Sequence, residues 1–289
     1  MKAAAFNYVR ASTVDEICQL LADAGDEERK IIAGGQTLVP LMAMRMARPD
    51  MLIDINDVTD LVGIHDRGDH ISFGAGTRQR AIERSDIVSD RLPLLAKAVR
   101  NVGHIQTRNR GTIGGSIVHG DPSAEIPLAA LALEAKMVLR DLSGETEVPI
   151  DGFFEAAMVT NIEPGQLLTE IRIPVWQNAR TGTGFHETSS RQGDFAIVAV
   201  AAQVELSETG AITRAAVSVG GAAPSPVKLR ALEAALVGVT ADGIDALLAL
   251  VDEDIDPDTD VHATAAYRQR VSRSLVARSL ADAIQEAQA

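Results

Sequence analysis

The sequence predicts a mixed α and β fold made of more than one structural unit. Three observations support this prediction: strand-like and helix-like segments alternate near the N-terminus, two glycine loops occur in the first half, and two long apolar runs occur in the second half. A chain of 289 residues with 46% hydrophobic and 23% charged residues is large enough to bury several cores. We place the unit boundaries near residues 58 and 177.

The first unit, residues 1–58, alternates helices and strands and is therefore expected to be a small α/β unit. Its predicted elements are a helix near 13–24, a strand at 29–33, a helix near 37–46 and a strand at 51–55. Ser12 or Thr13 provides the N-cap of the first helix. Cys18, the only cysteine of the chain, falls within this amphipathic helix and is expected to be a small core residue.

The second unit, residues 59–177, contains more strands and also helices. Its predicted elements are a strand at 70–73, helices near 78–85 and 91–100, and short strands around 136–140, 145–148 and 167–173. The segment Gly74-Ala75-Gly76-Thr77-Arg78-Gln79 begins like a Rossmann fingerprint, but Gln79 occupies the position of the third glycine. We therefore interpret this segment as a structural turn.

The third unit, residues 178–289, begins with a predicted linker that contains Gly182-Thr183-Gly184 and Gly193. Two antiparallel strands are predicted at 196–204 and 212–220, and Glu208-Thr209-Gly210 joins them. Helices are predicted at about 226–236, 240–251 and 264–287. The last helix places Tyr267, Val271, Leu275, Leu280 and Ile284 on one face.

The two glycine loops share one sequence pattern. Ala33-Gly34-Gly35-Gln36-Thr37 and Thr112-Ile113-Gly114-Gly115-Ser116 both lead into Gly-Gly followed by a polar side chain. Peptide N–H groups of such loops can converge on an anion, and the Arg108-Asn109-Arg110 segment before the second loop adds positive charge. Two such loops suggest a dinucleotide pyrophosphate held from both sides, and the alternative is two tight structural turns.

Other chemistries lack their usual residues. The chain has no P-loop lysine motif, no Gly-x-Ser-x-Gly elbow and no paired-histidine metal motif. We interpret the acidic run 252–260 as a solvated loop, because Pro257 and Ala263 replace the glycine and glutamate of a calcium loop. One cysteine cannot hold an iron–sulfur cluster of the usual type, so any such cluster belongs to another chain.

Charge and hydropathy restrict the partners and the location. A net charge of −13 and a pI near 4.9 argue against nucleic acid and a membrane surface as partners. No apolar run approaches eighteen residues, and the N-terminus lacks the core of a signal peptide. We therefore predict a cytoplasmic protein without membrane insertion.

Several ordered motifs resemble one family across essentially the whole chain. The family motifs are the first loop followed by Leu38-Val39-Pro40-Leu41-Met42, the second loop followed by Asp121-Pro122-Ser123-Ala124-Glu125, the opening Phe6-x-Tyr8, the segment 191–196, and Tyr267-Arg268. They look like those of the medium, FAD-binding subunit of molybdenum hydroxylases, the carbon monoxide dehydrogenase and xanthine dehydrogenase family. Gln36 departs from the pattern, because many relatives carry histidine or another small polar residue there.

The resemblance implies an α+β architecture: a two-subdomain FAD-binding fold of the vanillyl-alcohol-oxidase-like (PCMH) type, residues 1–58 and 59–177, followed by a C-terminal α+β domain, residues 178–289. It implies FAD on this chain, a molybdenum cofactor on a large partner subunit and 2Fe-2S clusters on a small one. A dimer of heterotrimers is expected. Electrons are expected to pass from the clusters through FAD to an external acceptor, so no catalytic residue is assigned to this chain.

The resemblance also implies the cofactor-binding residues. Those for the pyrophosphate and adjoining sugar oxygens are Ile32, Ala33, Gly34, Gly35, Gln36, Thr37, Leu38, Thr112, Ile113, Gly114, Gly115, Ser116 and Asp121. Glu125 is expected to bind the adenosine ribose hydroxyls and Val102 to pack on the adenine. Leu168, His186 and Phe195 are expected near the isoalloxazine. Asp121 has an alternative role as a cap of the second loop.

Two other functions are consistent with the same residues. One is a self-contained FAD-dependent oxidoreductase, and the other is a non-enzymatic nucleotide-binding module. We expect valine at Gly35 or Gly114 to reduce FAD binding strongly while leaving the overall fold largely intact.

Overall fold

A computed structural model describes residues 2–289 of the protein. Its α-helices are α1 Val14–Ala22, α2 Leu38–Ala43, α3 Gln79–Glu83, α4 Asp86–Arg91, α5 Pro93–Asn101, α6 Ile105–Arg110, α7 Ile113–His119, α8 Glu125–Ala132, α9 Arg230–Leu236, α10 Val251–Asp254 and α11 Ala265–Gln288. Two 3-10 helices span Thr59–Leu61 and Ala241–Leu250.

The strands form three principal sheets and one small hairpin. They are β1 Asn7–Arg10, β2 Arg29–Ile32, β3 Met51–Asp54, β4 Ile64–Asp66, β5 His70–Gly74, β6 Lys136–Asp141, β7 Gly144–Pro149, β8 Phe154–Ala156, β9 Val159–Thr160, β10 Leu167–Pro174, β11 Thr181–Ser189, β12 Ala196–Leu206, β13 Ile212–Gly220 and β14 Val227–Lys228. The hairpin pairs β8 with β9.

The first sheet is parallel, with the order β1-β3-β2. Helix α1 shares a hydrophobic core with this sheet, and the Thr13 side chain accepts a hydrogen bond from the Glu16 peptide N–H at the start of this helix. Cys18 is buried with Ile17 and Ile53 in the core of this unit, which confirms its predicted structural role. Burial raises the pKa of the Cys18 thiol.

The second sheet is antiparallel, with the order β4-β5-β10-β6-β7. Helices α3, α4, α5, α7 and α8 supply most of the remaining apolar side chains of the largest core. Helix α8 is buried along its whole length, so it lacks the amphipathic period that reveals a surface helix. This explains why the sequence pattern did not predict it.

The third sheet is antiparallel, with the order β11-β12-β13-β14. Helix α11 packs on β11 and β12, and helices α5 and α8 of the second unit also contact this sheet. The linker predicted around Gly182 is wrong, because these residues form β11. Glycine is required at 182 and 184 because a Cβ there would collide with the carbonyl oxygens of Ala283 and Ser279 in α11.

Candidate functional site

The first glycine loop connects β2 to α2 and presents unused hydrogen-bond donors. Within residues 2–289, the peptide N–H groups of Gly34, Gly35, Gln36 and Thr37 have no hydrogen-bond acceptor. Gly35 has φ +69°, a conformation that glycine adopts without strain. Free N–H groups at the start of a helix form an environment that favours an anion.

The second glycine loop has a different structure, because its residues form the first turn of α7. The Thr112 hydroxyl accepts a hydrogen bond from the Gly115 N–H at 3.1 Å and thereby caps this helix. The N–H groups of Ile113 and Gly114 donate to backbone carbonyls of the 75–77 turn, and that of Ser116 donates to the Thr112 carbonyl. The expectation that both loops offer free N–H groups therefore holds only for the first.

The second loop still has groups that face outwards. Gly115 is exposed and Ser116 is half-buried, and the Ser116 hydroxyl makes no hydrogen bond with any other residue of the 2–289 range. Gly114 is buried, and a Cβ there would lie 2.6 Å from the Cβ of Ala75. Glycine at 114 thus allows α7 to pack closely on the turn after β5, and Ser116 remains available to a ligand.

The two loops are in direct contact. A Cβ on Gly34 would lie 2.4 Å from the carbonyl oxygen of Arg110 and 2.8 Å from the Cα of Gly111, immediately before the second loop. The backbone of one segment therefore packs on the backbone of the other, which only glycine permits. The structure brings together the two motifs that the sequence separates.

Two residues that the sequence pattern did not single out connect these segments. The Asn56 amide donates to the Ala33 carbonyl at 3.0 Å and accepts from the Arg78 guanidinium at 2.5 Å. Arg78 also donates to the Arg110 carbonyl. Asn56 and Arg78 therefore fix the position of the first loop relative to the segment that precedes the second.

The loops lie in a locally positive environment. Burial and the nearby charge of Arg110 lower the pKa of Arg78. Arg110 itself is exposed and forms no ion pair with another residue in the described range 2–289. A chain with a net charge of −13 thus has two arginines, Arg78 and Arg110, in the segments that pack on the loop with four free N–H groups, an arrangement that suits a phosphate.

The segment before β12 lies against the end of α5 and the start of α6. A Cβ on Gly193 would lie 2.4 Å from the ring of His104, two residues after Val102. Val102 packs against the largest core, whereas the Phe195 side chain is 72% exposed. Phe195 therefore offers a free aromatic surface close to the Val102 segment. Leu168 is buried in β10, which α7 contacts.

Glu125 begins α8 and is only 6% exposed. Burial raises its pKa to about 8, the charges of Glu187 and Asp121 act in the same direction, and Arg108 opposes them. The Asp121 carboxylate accepts a hydrogen bond from the Ser123 N–H at 2.8 Å in the turn that leads into α8. The alternative role of Asp121 as a cap of the second loop is therefore wrong, since Thr112 provides that cap.

His186 lies on β11 and its ring Nε2 is 2.8 Å from the Asp282 carboxylate of α11. The next residue, Glu187, points to the other side of the strand, because side chains alternate along a β-strand. Burial raises the pKa of Glu187 to about 7. The structure thus brings Glu187, and not His186, to the side of the sheet that faces the second unit.

We expect Glu125→Gln to change the pH dependence of stability. In the unfolded chain Glu125 has an ordinary pKa near 4.5, whereas in the folded protein its pKa is about 8. The folded state therefore holds an additional proton between these values, and the free energy of unfolding falls as pH rises through this window. Urea unfolding of the ligand-free protein from pH 5 to 8 should show a smaller decline for the variant. An identical decline in the variant and the wild type would contradict the assignment of a raised pKa to Glu125.

Taken together, free N–H groups, unpaired positive charge, an exposed aromatic side chain and a buried carboxyl group fit a large anionic nucleotide cofactor. The site and the α+β fold therefore define a nucleotide-cofactor-binding protein. Residues 4–176 match the family model described as the FAD binding domain in molybdopterin dehydrogenase, and residues 183–283 match the CO dehydrogenase flavoprotein C-terminal domain. The chain belongs to this family of FAD-binding subunits of molybdenum hydroxylases.

Relatives and solved structures agree with this membership. The 6-hydroxypseudooxynicotine dehydrogenase complex subunit alpha of Paenarthrobacter nicotinovorans is 40% identical over 289 residues, covering 99% of this chain and 97% of the relative. The carbon monoxide dehydrogenase medium chain of Hydrogenophaga pseudoflava is 33% identical, with 95% and 96% covered. A solved carbon monoxide dehydrogenase structure from the same organism matches with a TM-score of 0.95 and 34% identity, covering 99% of both chains.

These matches confirm the α+β architecture of an FAD-binding region followed by a flavoprotein C-terminal domain. They also confirm FAD as the cofactor type and an oxidoreductase subunit as the protein class. The relatives are subunits of multi-subunit enzymes. None of the helices within residues 2–289 is long and apolar enough to cross a membrane.

Proposed function

We propose that this chain is the FAD subunit of a multi-subunit molybdenum hydroxylase. Substrate is hydroxylated at a molybdenum cofactor on the large subunit, and electrons pass through 2Fe-2S clusters on the small subunit to FAD and then to an external acceptor. The observation that carries the proposal is the first glycine loop, with four free N–H groups beside Arg78 and Arg110. When bound, FAD would supply the redox chemistry that this relay needs, namely one-electron exchange with a cluster and two-electron exchange with an acceptor.

The residues of this chain bind and orient the cofactor. The N–H groups of residues 34–37 donate to the pyrophosphate, and Arg110 supplies positive charge. Ser116 contributes a hydroxyl from the other side, and Glu125 accepts from sugar hydroxyls. Phe195 packs against the isoalloxazine.

The remaining predicted cofactor-binding residues shape the site around these groups. The apolar side chains of Ile32, Leu38, Val102 and Leu168 border the cofactor, and the Thr112 cap and the Asp121 turn hold α7 and α8. Gln36 is exposed beside the free N–H groups. His186 lies on the opposite side of β11, where its ring contacts Asp282.

The assembly and the unit boundaries are also part of the proposal. We propose a cytoplasmic dimer of heterotrimers. We also propose boundaries near residues 58 and 177, supported by the fact that the strands of each principal sheet fall within one of these ranges.

The electron-relay function predicts different behaviour for the single chain and the complex. The purified chain should contain about one noncovalent FAD, which dithionite reduces and the organic substrate does not, because metal centres lie on other subunits. In the reconstituted complex, stopped-flow absorbance should show iron–sulfur reduction before flavin bleaching. Colourless protein that takes up no FAD, or substrate reduction of the flavin in the single chain, would contradict the proposal.

A further inference from the structure

We propose that Glu187 is a second carboxyl group of the FAD site, where it accepts a hydrogen bond from a ribityl or ribose hydroxyl of the cofactor. The proposal rests on FAD binding by this chain. It adds a residue to the site and replaces His186 as the cofactor-facing residue of β11.

The register between β11 and β12 determines which way Glu187 points. Phe185 pairs with Ala201, and Glu187 pairs with Ala199. Ala199 and Ala201 belong to the large core of the FAD-binding region, and Phe185 packs against the same core. Since directly paired residues lie on the same face of a sheet, Glu187 faces the FAD-binding region.

The alternate residues of these strands lie on the other face. His186 pairs with Val200, which belongs to the core formed with α11. The ring of His186 correspondingly contacts Asp282 of α11. Neighbouring residues of β11 therefore face opposite sides of the sheet: Glu187 faces the cofactor region and His186 faces the C-terminal helix.

The next strand places Glu187 close to Glu125. Ala199 pairs on its other side with Gly220 of β13. A Cβ on Gly220 would lie 2.9 Å from the carbonyl oxygen of Pro122, and the Gly221 N–H donates to this oxygen at 2.9 Å. Pro122 precedes α8, so the three strands bring Glu187 to the segment that leads to Glu125.

Glu187 has a buried oxygen without a partner. Its Oε2 atom is inaccessible to solvent and has no hydrogen-bond donor within residues 2–289. Arg108, the cation whose charge acts on the neighbouring Glu125, is itself held by two hydrogen bonds to Glu83 at 2.8 and 3.1 Å. A buried carboxylate oxygen without a donor is costly, so a ligand hydroxyl that reaches it gains a favourable hydrogen bond.

The charges around the pair favour a neutral donor over a second anion. Glu125, Glu187 and Asp121 are carboxyl groups, and Arg108 is the cation that opposes them. The raised pKa values of Glu125 and Glu187 show that burial of this negative charge is unfavourable. Hydroxyl groups of a sugar or a ribityl chain donate hydrogen bonds without adding charge, whereas the pyrophosphate fits the positive region around Arg110.

Titration of the ligand-free protein with FAD tests the proposal. Glu187→Ala should weaken FAD binding by about tenfold to a hundredfold, because a hydrogen bond to a charged group is lost. Glu187→Gln, whose amide oxygen still accepts, should stay within about threefold of the wild type. The matched control is Glu205→Ala, since Glu205 of β12 pairs with Thr181 at the other end of β11.

Two fragments of FAD identify which hydroxyl group of the cofactor donates to Glu187. ADP carries the ribose and FMN carries the ribityl chain, so a loss confined to ADP assigns the ribose and a loss confined to FMN assigns the ribityl chain. Equal losses for Glu187→Ala and Glu205→Ala, or wild-type affinity for FAD in Glu187→Ala, would overturn the proposal.

A spectroscopic measurement covers the case in which Glu187→Ala does not fold. In protein labelled with ¹³C at the glutamate carboxyl groups, the resonance absent from Glu187→Gln should shift when FAD is added to the wild type. FAD binding without such a shift would also overturn the assignment. If the wild-type chain binds no FAD at all, the proposed function fails instead.

Discussion

Replacing Gly35 by valine is expected to abolish FAD retention while leaving the chain folded. Gly35 has φ +69°, and a Cβ there would lie 3.2 Å from Cγ2 of Val39. A β-branched residue opposes this conformation, at a cost of roughly 1–3 kcal/mol, and relaxation of the loop would turn its N–H groups away from the phosphate. Two or more charge-assisted hydrogen bonds would then be lost, so the dissociation constant should rise at least about a hundredfold.

Gly25→Val provides the matched control for this experiment. Gly25 also has positive φ, +54°, but no heavy atom lies within 4 Å of a Cβ built there. This variant carries the same backbone strain away from the site, so it should lose stability without losing FAD affinity. Equilibrium dialysis measures the affinity and circular dichroism measures the fold. Wild-type affinity in Gly35→Val would remove the first loop from the site.

Replacing Gly114 by valine is expected to destabilise the whole chain, which changes the expectation from sequence. A Cβ at this position would lie 2.6 Å from the Cβ and 2.7 Å from the carbonyl oxygen of Ala75. Both atoms belong to Ala75, which is buried in the turn after β5. They cannot move without disrupting the packing of α7 on this turn. We expect a loss of roughly 3 kcal/mol or more in the free energy of unfolding, and loss of FAD as a consequence.

A second-site change checks this explanation. Gly114→Ala with Ala75→Gly removes the collision between the two Cβ atoms and leaves those with the carbonyl oxygen and the Cα of residue 75. Urea unfolding should therefore show partial recovery of stability relative to Gly114→Ala alone. If the second change gives no recovery, or if Gly114→Val is as stable as the wild type, the close packing of α7 on the turn is not what requires glycine.

Much of the fold could be predicted because its periodic patterns are strong. Helix α1, strands β2 and β3, and helix α11 lie within about two residues of their predicted positions at most ends. Strand β11 was missed because Gly182 and Gly184 resemble linker residues, although their function is to admit the backbone of α11. Helix α7 was missed because a Gly-Gly pair rarely begins a helix on propensity alone.

The site was predictable only in part. The glycine loops are continuous in sequence, so their pattern was visible. Asn56 and Arg78 connect the loops through contacts between distant segments, and no local pattern reports such contacts. Glu187 and His186 differ by one position, and only the pairing of β11 with β12 decides which of them faces the cofactor region.

Because Gly34 packs on the Arg110 carbonyl, the complete arrangement of the two loops depends on segments that are synthesised at different times. During synthesis, the first loop leaves the ribosome several seconds before the second, at about 5–20 residues per second. The first unit alone has the free N–H groups but lacks Arg78, Arg110 and the backbone that packs on Gly34. Nascent chains that stop before Arg110 should not retain FAD. We therefore expect flavin incorporation only after the second loop has been synthesised.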